Sequence, residues 1–166
     1  MRVGLEATVL LAHRFTGVPR YICELARAFA ALNVEGLRCS LLLRLRDFQK
    51  RHLKPDLPLP VRWYLSGPWP AVPRCDVLHG LGVRLPQTSG RARRVATIHD
   101  MSPFMLPNYG SERALRNSQR HYELAARHAD RIIAVSASTK ADFLDFFDVP
   151  EDRVAVVHLG VSSAFL

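Results

Sequence analysis

Ala129-Asp130-Arg131-Ile132-Ile133-Ala134-Val135-Ser136 is the stretch that decides the fold. Ile132, Ile133, Ala134 and Val135 are apolar at consecutive positions, so both faces of a strand here need cover. A parallel strand lying under helices on both sides reads this way. Similar β-rich runs recur at 2–5, 37–43, 61–65, 76–79, 95–99 and 154–157. Helical stripes lie between them. In 19–32, Ile22, Leu25, Ala26, Phe29 and Leu32 share one face, and Pro19 suits a first helical turn. In 111–129, Leu115, Ser118, Tyr122, Ala125, Ala126 and Ala129 do the same. A shorter helix is expected over 138–147, with Phe143, Phe146 and Phe147 facing inward and Val149-Pro150 after its end. Strand–helix alternation without an internal repeat predicts an α/β fold: a doubly wound, mostly parallel sheet flanked by helices.

The stretch 55–73 departs from this pattern. It holds six of the eleven prolines and both tryptophans, Trp63 and Trp69. Such proline density forbids a helix and limits any strand to a short edge piece. The segment reads either as a long surface crossover with its tryptophans tucked onto the core, or as an exposed, partly apolar lip.

The chain has 166 residues, 48% of them hydrophobic and 23% charged, which describes one globular domain and excludes a disordered tail. No apolar run reaches the roughly 18 residues that a membrane span needs. A weak basic flank and no evident small-residue cleavage site argue against a signal peptide at the N-terminus. Cys23, Cys39 and Cys75 are odd in number and widely spaced, as reduced thiols of a cytoplasmic protein would be. The net charge of +8 is concentrated in arginine. Nucleic acid, anionic lipid head groups or phosphorylated small molecules could answer it. The chain has no helix-turn-helix spacing, zinc finger or aromatic RNP-like strand, so nucleic acid is not expected.

In an open parallel sheet, ligands bind beyond the carboxyl ends of the strands. The first strand is followed by a loop that includes Thr16-Gly17-Val18-Pro19-Arg20-Tyr21 and opens a helix. Gly17 there permits close approach of a ligand, and the free N–H groups favour an anion. The loop is neither Gly-x-Gly-x-x-Gly nor a P-loop. Later strands end in His79-Gly80, in His99-Asp100 and in Ser136-Ala137-Ser138, where Ser136 suits a helix N-cap. All of these would face one crevice. Their spacing matches no metal signature, so no metal is expected, and Ser136 lacks a nucleophile elbow.

Four of these segments, taken in order, resemble one family. Thr16-Gly17-Val18-Pro19-Arg20-Tyr21, Val95-Ala96-Thr97-Ile98-His99-Asp100-Met101-Ser102-Pro103, the 129–136 strand, and Val149-Pro150 through Val161 are similar to motifs of a bacterial GT-B glycosyltransferase of family 4 (group 1), mannosyltransferase-like members especially. The resemblance implies a Rossmann-like N-terminal, acceptor-side domain over 1–161, with the interdomain linker starting at 162–166. The donor-binding C-terminal domain would lie outside this chain, and the domain alone would turn over poorly.

The implied reaction is retaining transfer from a nucleoside-diphosphate sugar, GDP-mannose or a UDP-sugar, to a glycan or lipid-linked acceptor, with no cofactor or metal. Carried over, His99 would contact the transferred sugar and Asp100 would position a hydroxyl or orient His99. Gly17, with Val18 and Arg20, would approach the sugar or diphosphate. His79, Gly80, Ser136 and Ser138 would line the crevice. Pro19 stands where the family has a small residue and removes a backbone donor. His158-Leu159-Gly160 replaces Pro-Asn-Gly. Two other readings remain open. One is a module that docks on a partner or on an anionic membrane surface, peripheral at its inner face, without catalysis of its own. The other is an unrelated doubly wound nucleotide-dependent enzyme.

Overall fold

The computed structural model describes residues 1–12, 16–32, 34–67, 69–88, 90–106 and 110–161. The linker expected at 162–166 lies outside them. Seven strands form one sheet: β1 (Arg2–Glu6), β2 (Arg38–Arg44), β3 (Val61–Tyr64), β4 (Val77–Gly80), β5 (Arg93–Ile98), β6 (Arg131–Ala134) and β7 (Val154–Val156). Their order is β3-β2-β1-β4-β5-β6-β7, and every pairing is parallel. The helices are α1 (Gly17–Ala31), α2 (Ser102–Met105), α3 (Glu112–His128) and α4 (Ala137–Phe146). Short 3₁₀ segments follow β1 (Thr8–Leu11) and β2 (Leu45–Leu53) and precede β7 (Glu151–Arg153). This is the doubly wound, parallel α/β architecture that the strand–helix alternation predicts. The strand order reverses between β1 and β4, and such a switch point opens a crevice at the carboxyl edge.

Burial follows the alternation of side chains along each strand. Leu41 and Leu43 pack on the α1 side with Val3, Leu5, Ile22 and Ala26. Leu42 points to the opposite face and packs with Tyr64 and Leu78, against Val72 of the proline-rich crossover and Cys75 just after it. A second core joins Ala96, Ile98, Ile132 and Ala134 to Tyr122, Ala125 and Ala126 of α3 and Phe143 of α4. Ile132 is fully buried, so Ile132→Ala would cost about 2–5 kcal/mol.

Helix ends are closed by identifiable groups. Ser111 Oγ accepts from the Ala114 amide at the start of α3, at 3.3 Å. At its other end the Arg153 guanidinium donates to the carbonyls of Ala126 and Ala129, which no helical amide can reach. Ser136 Oγ accepts from the Thr139 amide at 3.0 Å and caps α4.

Three expectations need correction. Leu32 is 53% exposed because α1 ends at Ala31, so Leu32 falls past the last helical turn. Phe146 is also exposed. Phe143 and Phe147 are four residues apart and share the inward stripe, with ring centroids 4.9 Å apart, whereas Phe146 sits off it. The two tryptophans part company: Trp63 on the edge strand β3 is half-buried against Phe48, and Trp69 is 89% exposed. The three cysteines are unpaired. No helix among the described residues is long and apolar enough to cross a membrane.

Candidate active site

A cavity of about 470 Å³ lies at the carboxyl edge, bordered by the ends of β1, β2, β4 and β5, the first turn of α1 and the middle of α3. Glu6, Arg44, Arg84, His99, Asp100 and His121 are among its lining residues, with Thr16 and Val18 at the α1 rim.

The start of α1 supplies few amides. Pro19 has no N–H, and the Arg20 amide already donates to the Thr16 carbonyl at 3.2 Å. Among the described residues, the Gly17 and Val18 amides of this first turn have no acceptor. Open space surrounds the position a Gly17 side chain would take. A methyl of Val18 stands 3.4 Å from where a Gly82 Cβ would be, so this turn meets the loop after β4. Arg20 is exposed.

His99 follows the last residue of β5. Its Nε2 donates to the Leu81 carbonyl at 2.8 Å, and the Tyr21 ring meets it edge-on with centroids 4.9 Å apart. The His99 carbonyl accepts from Thr139 Oγ1 at 3.4 Å, linking the end of β5 to α4. Asp100 is exposed and spends Oδ1 on the Ser102 amide at 2.8 Å. Tyr122 donates to the Asp100 carbonyl at 2.8 Å.

His79 and Gly80 sit beneath the cavity and not along its wall. His79 is buried, and its Nε2 is 2.8 Å from Thr97 Oγ1 across the β4–β5 pairing. Burial first, and then the neighbouring His99, hold its imidazole down at about 4. Gly80 has a packing reason: a Cβ there would lie 2.3 Å from the Arg84 carbonyl oxygen. After Gly80 the chain passes through Val83, whose φ of 61° is rare for a β-branched residue, before Arg84 comes back over Gly80. That conformation costs on the order of 1–3 kcal/mol and fixes where Arg84 stands. Ser136 and Ser138 lie at the start of α4, outside the cavity lining, and the Ser136 hydroxyl is engaged as the cap.

The structure adds residues that motif reading passed over. Glu6 closes β1 and is buried; its Oε1 accepts from Tyr64 Oη at 3.0 Å and from the Thr8 amide at 3.3 Å. Burial pushes its carboxyl up, against the pull of those hydrogen bonds and of Arg84. His121 on α3 has a buried Nε2 without a hydrogen-bond partner among the described residues. Burial, then Arg84, Arg44 and Arg120, hold its imidazole down at about 4. Arg44 Nε donates to Asp47 Oδ2 at 2.6 Å. A polar residue ending an apolar strand, as Glu6 does, was the one available signal. Among the described residues, no group of three or more His, Cys, Asp or Glu side chains could hold a metal ion.

The family model described as Glycosyltransferase Family 4 matches residues 15–165. The O-antigen chain mannosyltransferase B of Escherichia coli is 29% identical over 90 residues, 54% of this chain and 23% of that protein. Among solved structures, HepE of Anabaena in complex with UDP-glucose superposes with a TM-score of 0.53 at 14% identity, covering 98% of this chain and 44% of that one. HepE with UDP and glucose gives 0.53 at 15% identity, over 98% and 45%. This chain thus spans less than half the length of these relatives.

Proposed function

Because this chain belongs to glycosyltransferase family 4, we propose that it forms the acceptor-side domain of a retaining transferase. The reaction moves a sugar from a nucleoside-diphosphate sugar to a glycan or lipid-linked acceptor, and a donor-binding domain supplies the opposite wall. The observation that carries this reading is the meeting of His99 with the first turn of α1 on one cavity at the switch point.

The chemistry divides accordingly. The bond between the anomeric carbon and the diphosphate breaks, and the diphosphate leaves with the developing negative charge. Donors fixed in advance stabilise that charge. The Gly17 and Val18 amides at the α1 terminus are such donors on this side of the cleft. His99, held by Leu81 and Tyr21, presents a fixed ring edge to the transferred sugar. Asp100 keeps Oδ2 for an acceptor or sugar hydroxyl. Closing the cleft brings donor and acceptor together, which supplies the proximity contribution. Binding of UDP-glucose by HepE supports a nucleotide-sugar donor, and likeness to the mannosyltransferase supports mannose as the sugar. The test is nucleotide release by the complete enzyme with GDP-mannose and UDP-glucose, with and without a lipid-linked acceptor. Absence of release under all conditions overturns the reading.

A second reading rests on the surface beside the cavity. The Leu45–Leu53 segment exposes Leu45 and Phe48 between Arg46, Lys50 and Arg51, and Trp69 is exposed as well. We infer a peripheral contact with the anionic inner face of a membrane, where a lipid-linked acceptor would lie. Sedimentation with neutral and anionic liposomes tests it; equal binding to both rejects it.

A further inference from the structure

The cavity holds positive charge that sugar transfer does not use. Arg84 is half-buried, yet among the described residues it makes no hydrogen bond or salt bridge. The other half-buried cations among the described residues are engaged: Arg44 by Asp47, Arg94 by Asp130, Lys140 by Glu151, Lys54 by the Pro55 carbonyl and Arg153 by the end of α3. A guanidinium drawn partly out of water without a partner is unfavourable until an anion completes it. Arg84 lines the cavity together with Glu6 of β1 and His121 of α3, and its field acts on both and on Tyr64 of β3. Glu6 is a poor counter-ion, since burial drives its carboxyl toward the neutral form and its Oε1 already serves Tyr64. Two further groups at the same cavity lack partners among the described residues. Lys50 lines it without an ion pair, and the buried His121 Nε2 has no hydrogen bond among the described residues.

We propose that this cavity contains a phosphate subsite on the acceptor side, in which Arg84, Lys50 and His121 Nε2 hold a phosphate ester carried by the acceptor. The forked guanidinium matches two phosphate oxygens, and the remaining oxygen is left for the ammonium and the imidazole N–H. A carboxylate would satisfy Arg84 but leave the other two groups idle. The volume of about 470 Å³ admits a sugar as well as its phosphate. The inference deepens the acceptor-side reading and rests on it. The ester could belong to a soluble sugar phosphate or to a polyprenyl phosphate in a membrane.

The test follows the His121 ring signals of this labelled chain by NMR. Inorganic pyrophosphate, glucose 6-phosphate and UDP are titrated separately, and neutral vesicles are added with or without a polyprenyl phosphate. The expected result is a saturable shift of the His121 ring with pyrophosphate and with one ester source. Response to glucose 6-phosphate assigns a soluble acceptor, and response to the doped vesicles alone assigns a lipid one. Arg84→Gln should weaken binding about tenfold or more, as loss of a charge-assisted contact does. Lys50→Gln, on the exposed 3₁₀ segment away from the core, should weaken it severalfold and guards against misfolding of the Arg84 variant. No His121 shift with any phosphate, or unchanged affinity in both variants, overturns the proposal. A shift with UDP alone also overturns it and gives the cavity to the donor. If the subsite binds phosphate while the complete enzyme releases no nucleotide, the transferase reading fails and the subsite stands.

Discussion

His99 Nε2 donates to the Leu81 carbonyl at 2.8 Å. That bond fixes the ring between the ends of β4 and β5, and Nδ1 has no hydrogen-bond partner among the described residues. In the complete transferase, His99→Ala should lower kcat about 100-fold, the lower range for a positioned polar group in a transition state. KM for the acceptor should change far less. Nucleotide release measures both, and wild-type turnover would remove His99 from the reaction.

Gly80→Ala tests the fold-back of the β4 loop. The added methyl would meet the Arg84 carbonyl at 2.3 Å, and that atom is backbone, so the loop must move. A loss of about 1–3 kcal/mol is expected, as in overpacked cores, read from a thermal melt. Phosphate binding should weaken too, because Arg84 moves with the loop.

Acid should destabilise the fold through two histidines. His79 and His121 are held at about 4 in the native chain, against 6.5 for an ordinary imidazole. Between those values the unfolded chain binds more protons, so stability is full above pH 6.5 and is lost as pH falls toward 4. The limiting slope is about 1.4 kcal/mol per pH unit per histidine, with less from the more exposed His121. Glu6 works the other way, since its raised carboxyl favours the native state at low pH and blunts the decline. Urea unfolding at pH 7 and pH 5 measures the difference, and His79→Gln should flatten it.

Arg153→Ala should uncap α3. Two carbonyls lose a charged donor, those of Ala126 and Ala129. A loss of about 1–3 kcal/mol follows. Arg153→Lys should recover only part of it, because one ammonium cannot match the planar fork. Chemical denaturation of the two variants checks this.

Ser136→Ala should cost about 1 kcal/mol through loss of the α4 cap. If capping is its whole contribution, acceptor KM in the complete enzyme will not change. A rise in KM at unchanged stability would instead show a hydroxyl that touches substrate.

The sheet was legible because buried parallel strands advertise themselves as unbroken apolar runs, as Ile132-Ile133-Ala134 does. The edge position of β3 was legible because prolines crowd around it. Strand order was not. Nothing in the periodicity says that β1 lies between β2 and β4, yet that order decides which side chains meet. Glu6, Arg84 and His121 come from distant parts of the sequence and carry no shared motif, so their convergence needed coordinates. The place of His99 and Asp100 on the cavity was readable because they directly follow a buried strand, at the edge where such sheets open. The inward stripe of α4 was misjudged at Phe146 because three phenylalanines in five positions cannot all face one way.

The central place of β1 bears on how the chain acquires its shape. Residues 2–6 are made before either of their partners, which arrive in two instalments, the second at 77–80. Until then one flank of the nascent ribbon has its amides and carbonyls uncovered, a template for pairing with neighbouring molecules. Sequence-distant pairing of this kind slows folding. Interrupted synthesis ending before residue 77 should therefore yield aggregates, and a chaperone that shields the early strands should raise the soluble yield.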